Sequence, residues 1–137
     1  MRKTTFKTTF MAGFAALALA APAAANELIG DWRTAPDDNG NTGLIRVVQC
    51  GTSLCGTLVQ AFDASGAVMQ SDNVGRQIIW STNPTTNAGE YVGMLYSPDR
   101  DREYRSRLQL TGDSLSVSGC VMGGAVCREG GVWQRVD

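Results

Sequence analysis

The residues of this chain best suited to chemistry are its four cysteines, Cys50, Cys55, Cys120 and Cys127. They fall into two groups, C-x4-C within CGTSLCG (50–56) and C-x6-C within CVMGGAVC (120–127). Thiolate is the reactive form of cysteine, and redox pairs favour C-x-x-C spacing at a helix N-terminus that lowers the thiol pKa. Neither group has that spacing or that setting. Such cysteines suit zinc in a reducing compartment and disulfides in an oxidising one. Compartment therefore decides between the two.

Other candidate chemistry is sparse. The chain has no histidine, which removes the commonest general base, metal ligand and physiological-pH switch. Ser–His–Asp and Cys–His catalysis are excluded. Asp99, Asp101 and Glu103, in SPDRDREYR (97–105), could supply paired carboxylates. They share one turn and one outward strand face, whereas catalytic carboxylates face each other across a cleft in unlike environments. The interleaved arginines could bind an anion bidentately, but the local charge nearly cancels. DDNGN (37–41) faintly resembles a calcium loop, lacks the later acidic ligand such a loop needs, and reads as a turn. No enzyme activity, cofactor or metal site is expected.

The start of the chain points to export. Arg2, Lys3 and Lys7 precede an uncharged apolar run, Met11 to Ala20, and Ala23 and Ala25 fit a small-residue cleavage site. This predicts a signal peptide over 1–25, cut after Ala25, and a single domain over 26–137 in the periplasm or secreted. The apolar run falls short of the about 20 residues needed to cross a bilayer, so no stable membrane insertion is expected. The cut removes three basic residues and no acidic one, leaving a domain more negative than the full chain's −1. Nucleic acid is then a poor partner. Export favours disulfides over zinc.

The elements that position the cysteines read as strands almost throughout, with no sustained helical period. Strands are expected near 28–34, 44–50, 55–62, 76–81, 90–97, 103–110, 114–120 and 127–136, separated by Pro-, Gly-, Asn- and Asp-rich turns. In REYRSRLQL (102–110), Tyr104, Ser106, Leu108 and Leu110 alternate with Glu103, Arg105, Arg107 and Gln109. A period of two puts the first set inward. A TGD turn (111–113) links this strand to Leu115 and Val117 in a hairpin. One connection is long, residues 63–75, suited to a short extra strand or to covering one end. Cα atoms facing each other across antiparallel strands lie roughly 4.5–5.5 Å apart, within the about 4.4–6.8 Å that a disulfide spans. Cys50–Cys55 can then close GTSL, and Cys120–Cys127 can close VMGGAV.

The two chain ends suggest closure. Gly30-Asp31-Trp32 stands on the first strand and Trp133-Gln134-Arg135 on the last. In an up-and-down barrel these strands are neighbours, and Arg135 over the Trp32 indole would gain about 0.5–2 kcal/mol. The pairing resembles lipocalin-like (calycin) closure. The expected fold is an all-β, antiparallel up-and-down barrel of about eight strands, lipocalin/calycin-like, with two hairpin disulfides. More specifically, the chain resembles the exported bacterial family known as domain of unknown function 2147. The resemblance rests on Gly30-Asp31-Trp32, the CGTSLCG block, Tyr91-Val92-Gly93-Met94-Leu95-Tyr96-Ser97-Pro98-Asp99 with Tyr104, Leu115 to Cys120, Cys127 and Trp133-Gln134-Arg135. It implies a small β-barrel and export, and no catalytic residues.

The function expected is non-enzymatic binding of a small, apolar ligand inside the barrel. Phe62, Trp80, Tyr91, Tyr96 and Tyr104 are the candidate lining. The alternative is a structural or interaction protein of the cell envelope, with an envelope protein partner and a core those aromatics fill. Small eight-stranded barrels have interiors just wide enough for side chains.

Overall fold

A computed structural model describes residues Gly13 and 27–136. The expected signal segment, Gly13 apart, and its cut after Ala25 lie outside the described residues.

Nine strands follow in chain order: β1 (Gly30–Arg33), β2 (Thr42–Cys50), β3 (Ser53–Phe62), β4 (Val68–Met69), β5 (Gln77–Pro84), β6 (Glu90–Ser97), β7 (Arg102–Thr111), β8 (Ser114–Val121) and β9 (Val126–Val136). Eight of them close into an antiparallel ring in the order β1-β2-β3-β5-β6-β7-β8-β9, with β9 pairing back to β1. Closure leaves the ring without a free edge, the usual liability of a sheet. β4 lies outside the ring on the end of β3, through Ala61↔Met69 and Phe62↔Val68. The long connection thus holds a short extra strand. Asp63 orders its turn by accepting from the backbone N–H groups of Ser65 and Ala67.

Alternation drives the inside–outside split as expected. Ser106, Leu108 and Leu110 are buried, while Arg105, Arg107 and Gln109 are exposed. The β7–β8 turn is tighter than the TGD reading: Thr111 pairs with Ser114, leaving only Gly112 and Asp113 outside the ladder. Gly112 has φ of +59°, a conformation that glycine adopts at little steric cost. The core gathers Leu28, Trp32, Ile45, Val47, Leu54, Ile79, Tyr91, Leu108 and Leu115.

Both disulfides are present, Cys50–Cys55 and Cys120–Cys127. The first differs from simple loop closure. Cys50 faces Ser53 and Cys55 faces Val48, so the bond runs diagonally and the turn proper is only Gly51–Thr52. The diagonal still leaves the Cα atoms 5.8 Å apart, within reach of a disulfide. Cys120 and Cys127 face each other directly, with Cα atoms 4.0 Å apart. The two clamps sit at opposite ends of the barrel.

Four irregularities reset the inward phase, the first being Ile78, an extra residue on β5 between Gly56↔Ile79 and Thr57↔Gln77. Between Leu44↔Gln60 and Ile45↔Leu58, β3 carries one extra residue, Val59. Between Trp80↔Met94 and Asn83↔Val92, β5 carries an extra residue, with Ser81 at φ +49°. Between Val117↔Gly131 and Ser118↔Glu129, β9 carries Gly130. A bulge swaps which face the following residues occupy, with consequences for the cavity wall.

Candidate functional site

The barrel has one closed end and one open end. The closed end is built by the β2–β3, β5–β6 and β7–β8 turns, by residues 27–30 and by the end of β9. Trp32 is fully buried there, and its indole Nε1 donates to the Leu28 carbonyl at 2.9 Å. Arg135, directly opposite Trp32 in the ladder, lays its guanidinium 4.4 Å from the indole ring centre. It also donates through Nη1 to the Ile29 carbonyl at 3.2 Å, through Nη2 to the Glu27 carbonyl, and through Nε to Asp113 at 3.2 Å. Gly30, at φ +139°, makes room: a Cβ there would sit 3.0 Å from Arg135 Nη1. Every donor nitrogen of this arginine is engaged within the fold.

The open end is ringed by the β1–β2, β4–β5, β6–β7 and β8–β9 connections. A cavity of about 530 Å³ runs inward from it, within the roughly 300–1,000 Å³ typical of small-molecule sites. Its walls include Ile45, Leu58, Ile79, Leu95, Val117 and Trp133. The void has a simple origin in the sequence. Towards the open end small residues take inward positions on three strands, from Ile45 to Gly43 on β2, Leu58 to Ala61 on β3 and Val117 to Gly119 on β8. An eight-stranded ring has a fixed girth, so small inward side chains leave space where large ones fill it.

The five candidate aromatics divide. Tyr96 and Tyr104 line the cavity. Phe62, Trp80 and Tyr91 are not part of its wall. The Val59 bulge turns Ala61 inward and Phe62 outward, where Arg33 stacks on its ring at 4.4 Å. Trp80 pairs with Met94, out of phase with the inward pair Ile79↔Leu95. Tyr91 does point inward, but below the cavity floor, almost wholly buried in the closed end. The Val59 bulge that sets Phe62 outward cannot be placed from alternation alone. Arg128 escaped notice for the same reason. The Gly130 bulge brings it into register with inward Gly119, on the cavity wall.

Electrostatics differ between the ends. At the closed end the Tyr91 hydroxyl is buried without a partner. Desolvation pushes its pKa up, as does the negative charge of Glu27, against a smaller opposite pull from Arg135. At the mouth the Tyr96 hydroxyl donates to Asp101 Oδ1 at 2.6 Å, and this bond raises its pKa more than burial does. Arg76 stacks 3.5 Å from the centre of the same ring. The suspected calcium turn is occupied by its own backbone: Asp37 Oδ1 accepts from the N–H groups of Asn39 and Asn41. Among the described residues no group of three or more Cys, Asp or Glu side chains is placed to hold a metal. Asp101 and Glu103 do not face each other across a cleft, since Asp101 is tied to Tyr96 and Glu103 points outward.

Together these features define a class: small, disulfide-clamped, closed eight-stranded antiparallel barrels, hollow towards one end. Within that class the chain belongs to the family described as "Uncharacterized protein conserved in bacteria (DUF2147)", whose match covers residues 30–135. No match was found among curated proteins or among solved structures.

Proposed function

We propose that this protein is a non-enzymatic, exported binding protein that takes a small, largely apolar ligand into the open end of its barrel. The observation that carries this is the cavity itself: apolar walls of Ile45, Leu58, Ile79, Leu95, Val117 and Trp133 lead to a polar rim. Binding sites commonly combine an apolar chamber with a few polar groups that orient the ligand. Export to the periplasm or beyond is part of the reading, because the leader pattern and the two disulfides agree on an oxidising compartment.

Native mass spectrometry on protein purified from its own compartment tests this, followed by thermal shift against extracts of envelope lipids. An adduct lost on delipidation, and a raised melting temperature on adding the extract back, are expected. An adduct-free mass and an unmoved melting temperature across the extracts would remove the binding reading.

A second reading has its own support. Val121, Met122 and Val126 are exposed at the tip of the β8–β9 hairpin, Met122 by 80%. An envelope protein partner could cover them, with no ligand involved. Cross-linking at Met122 that captures one defined partner while the cavity stays empty would favour this second reading.

A further inference from the structure

The charges around the cavity mouth are not equivalent. Five charged residues border the cavity: Asp37, Asp99, Arg100, Arg128 and Glu129. Asp37 is committed to its own turn. Glu129 points to the outer face and accepts from the Ser116 hydroxyl at 2.7 Å. Asp99 and Arg100 are exposed chain neighbours on the β6–β7 turn, outside the strand ladder. The ion pairs among the described residues, Arg46–Asp31, Arg107–Glu90 and Arg135–Asp113, involve none of these five. Neither Arg100 nor Arg128 has a side-chain hydrogen-bond or ion-pair partner among the described residues, and of the two only Arg128 stands on a strand at an inward register position, beside Gly119. One strand further, Ser106 also faces inward, and its buried hydroxyl has no partner. Gly119 and Arg128 thus stand side by side on the cavity wall, with the Ser106 hydroxyl buried in the same row and not part of the wall.

Resting on the binding reading above, we propose that the ligand is an amphiphile with an anionic head group, held at the mouth by Arg128 with its apolar chain in the cavity. A planar guanidinium presents paired N–H donors that match the oxygens of a carboxylate or phosphate. At the boundary between an apolar chamber and water it is screened less than a fully solvated charge. The contrast with Arg135 is instructive: that arginine has its donors engaged and an indole beneath it, whereas Arg128 has neither.

The test is calorimetric titration of the mature, oxidised protein with four ligands sharing one chain: dodecanoate, dodecyl phosphate, dodecanol and dodecyltrimethylammonium. Both anions should bind at least about tenfold more tightly than the alcohol, and the cation most weakly. Arg128→Gln should reduce the anions to the alcohol's affinity and leave the alcohol unchanged. Arg128→Lys should keep part of the preference. Arg105→Gln, exposed on the outer face of β7, should change nothing. Tighter binding of dodecanoate than of dodecyl phosphate would support a fatty-acid head group, and the reverse a phosphate monoester. Equal affinity for dodecanoate and dodecanol, or a preference that survives Arg128→Gln, would overturn this proposal and leave the cavity reading standing. Failure of all four ligands to bind would overturn both.

Discussion

The two ends of the barrel are built from the same strands, yet they handle space in opposite ways. At the closed end large inward side chains meet: Trp32, Leu54, Tyr91 and Leu115 are all buried to within about 1%. Arg135 joins them with its charge neutralised by backbone carbonyls, Asp113 and an indole face. At the open end the inward positions carry Gly43, Ala61, Ser106 and Gly119, and the hairpin tip leaves Val121, Met122 and Val126 in water. One end concentrates stabilising contacts; the other forgoes them and gains a chamber. A small domain can tolerate such a void only if the rest is well braced, and each end carries its own disulfide.

If that division is right, substitutions should report which end they strike. The largest effect belongs to Trp32→Ala, which removes a fully buried indole and its hydrogen bond to Leu28. A loss of about 3–5 kcal/mol is expected in urea denaturation, against under ~0.5 kcal/mol for Val121→Ala at the exposed tip. Similar losses at both sites would break the comparison. Next come the clamps. Replacing either cysteine pair by serines should cost about 2 kcal/mol in the chain-entropy view, and a non-reduced peptide map of the wild type should give only the 50–55 and 120–127 cross-links. Any other cross-link would contradict the hairpin pairing. Arg135→Gln should follow at about 1–2 kcal/mol, since the stacked cation and its bonds to Ile29 and Asp113 go together.

The smallest effect is a matter of pH. Tyr91 and Tyr96 both have pKa values raised in the fold, the first chiefly by burial and the second chiefly by its bond to Asp101. Their stabilising contribution is complete below the ordinary tyrosine value near about 10 and is lost as pH rises through the raised folded values. Stability should therefore fall in alkali. Alkaline unfolding followed by circular dichroism should shift to higher pH in Tyr91→Phe, which removes the unpartnered hydroxyl. An unchanged profile would mean that Tyr91 is not what titrates.

Much of the fold was legible because alternation and turn chemistry are local signals. The strand at 102–110 shows this best: its charged and apolar residues separate by parity, and the structure keeps them so. Both disulfide pairings were also within reach, since each pair brackets one hairpin. The cavity was not. Phe62 and Trp80 are candidate lining only as aromatics on strands; the Val59 bulge sets Phe62 outward, and Trp80 lies out of phase with inward Ile79. Arg128 became inward only through Gly130. Such bulges depend on how neighbouring strands stagger around a closed ring, which is a property of the whole barrel. One usable signal was overlooked: the decline in size along SLSVSG, where Leu115, Val117 and Gly119 face inward in turn.

Gly119 also provides the most direct test of the central claim, that the open end is a binding chamber. A Cβ added there would lie 3.4 Å from the Tyr104 ring, an ordinary contact, so Gly119→Leu should fold and fill part of the void. Calorimetric titration of the wild type and of Gly119→Leu with dodecanol reads out the chamber without reference to charge. The account predicts that the variant loses at least about tenfold in affinity while its stability stays within about 1 kcal/mol of the wild type. Equal affinity in the two proteins would place binding elsewhere and contradict it.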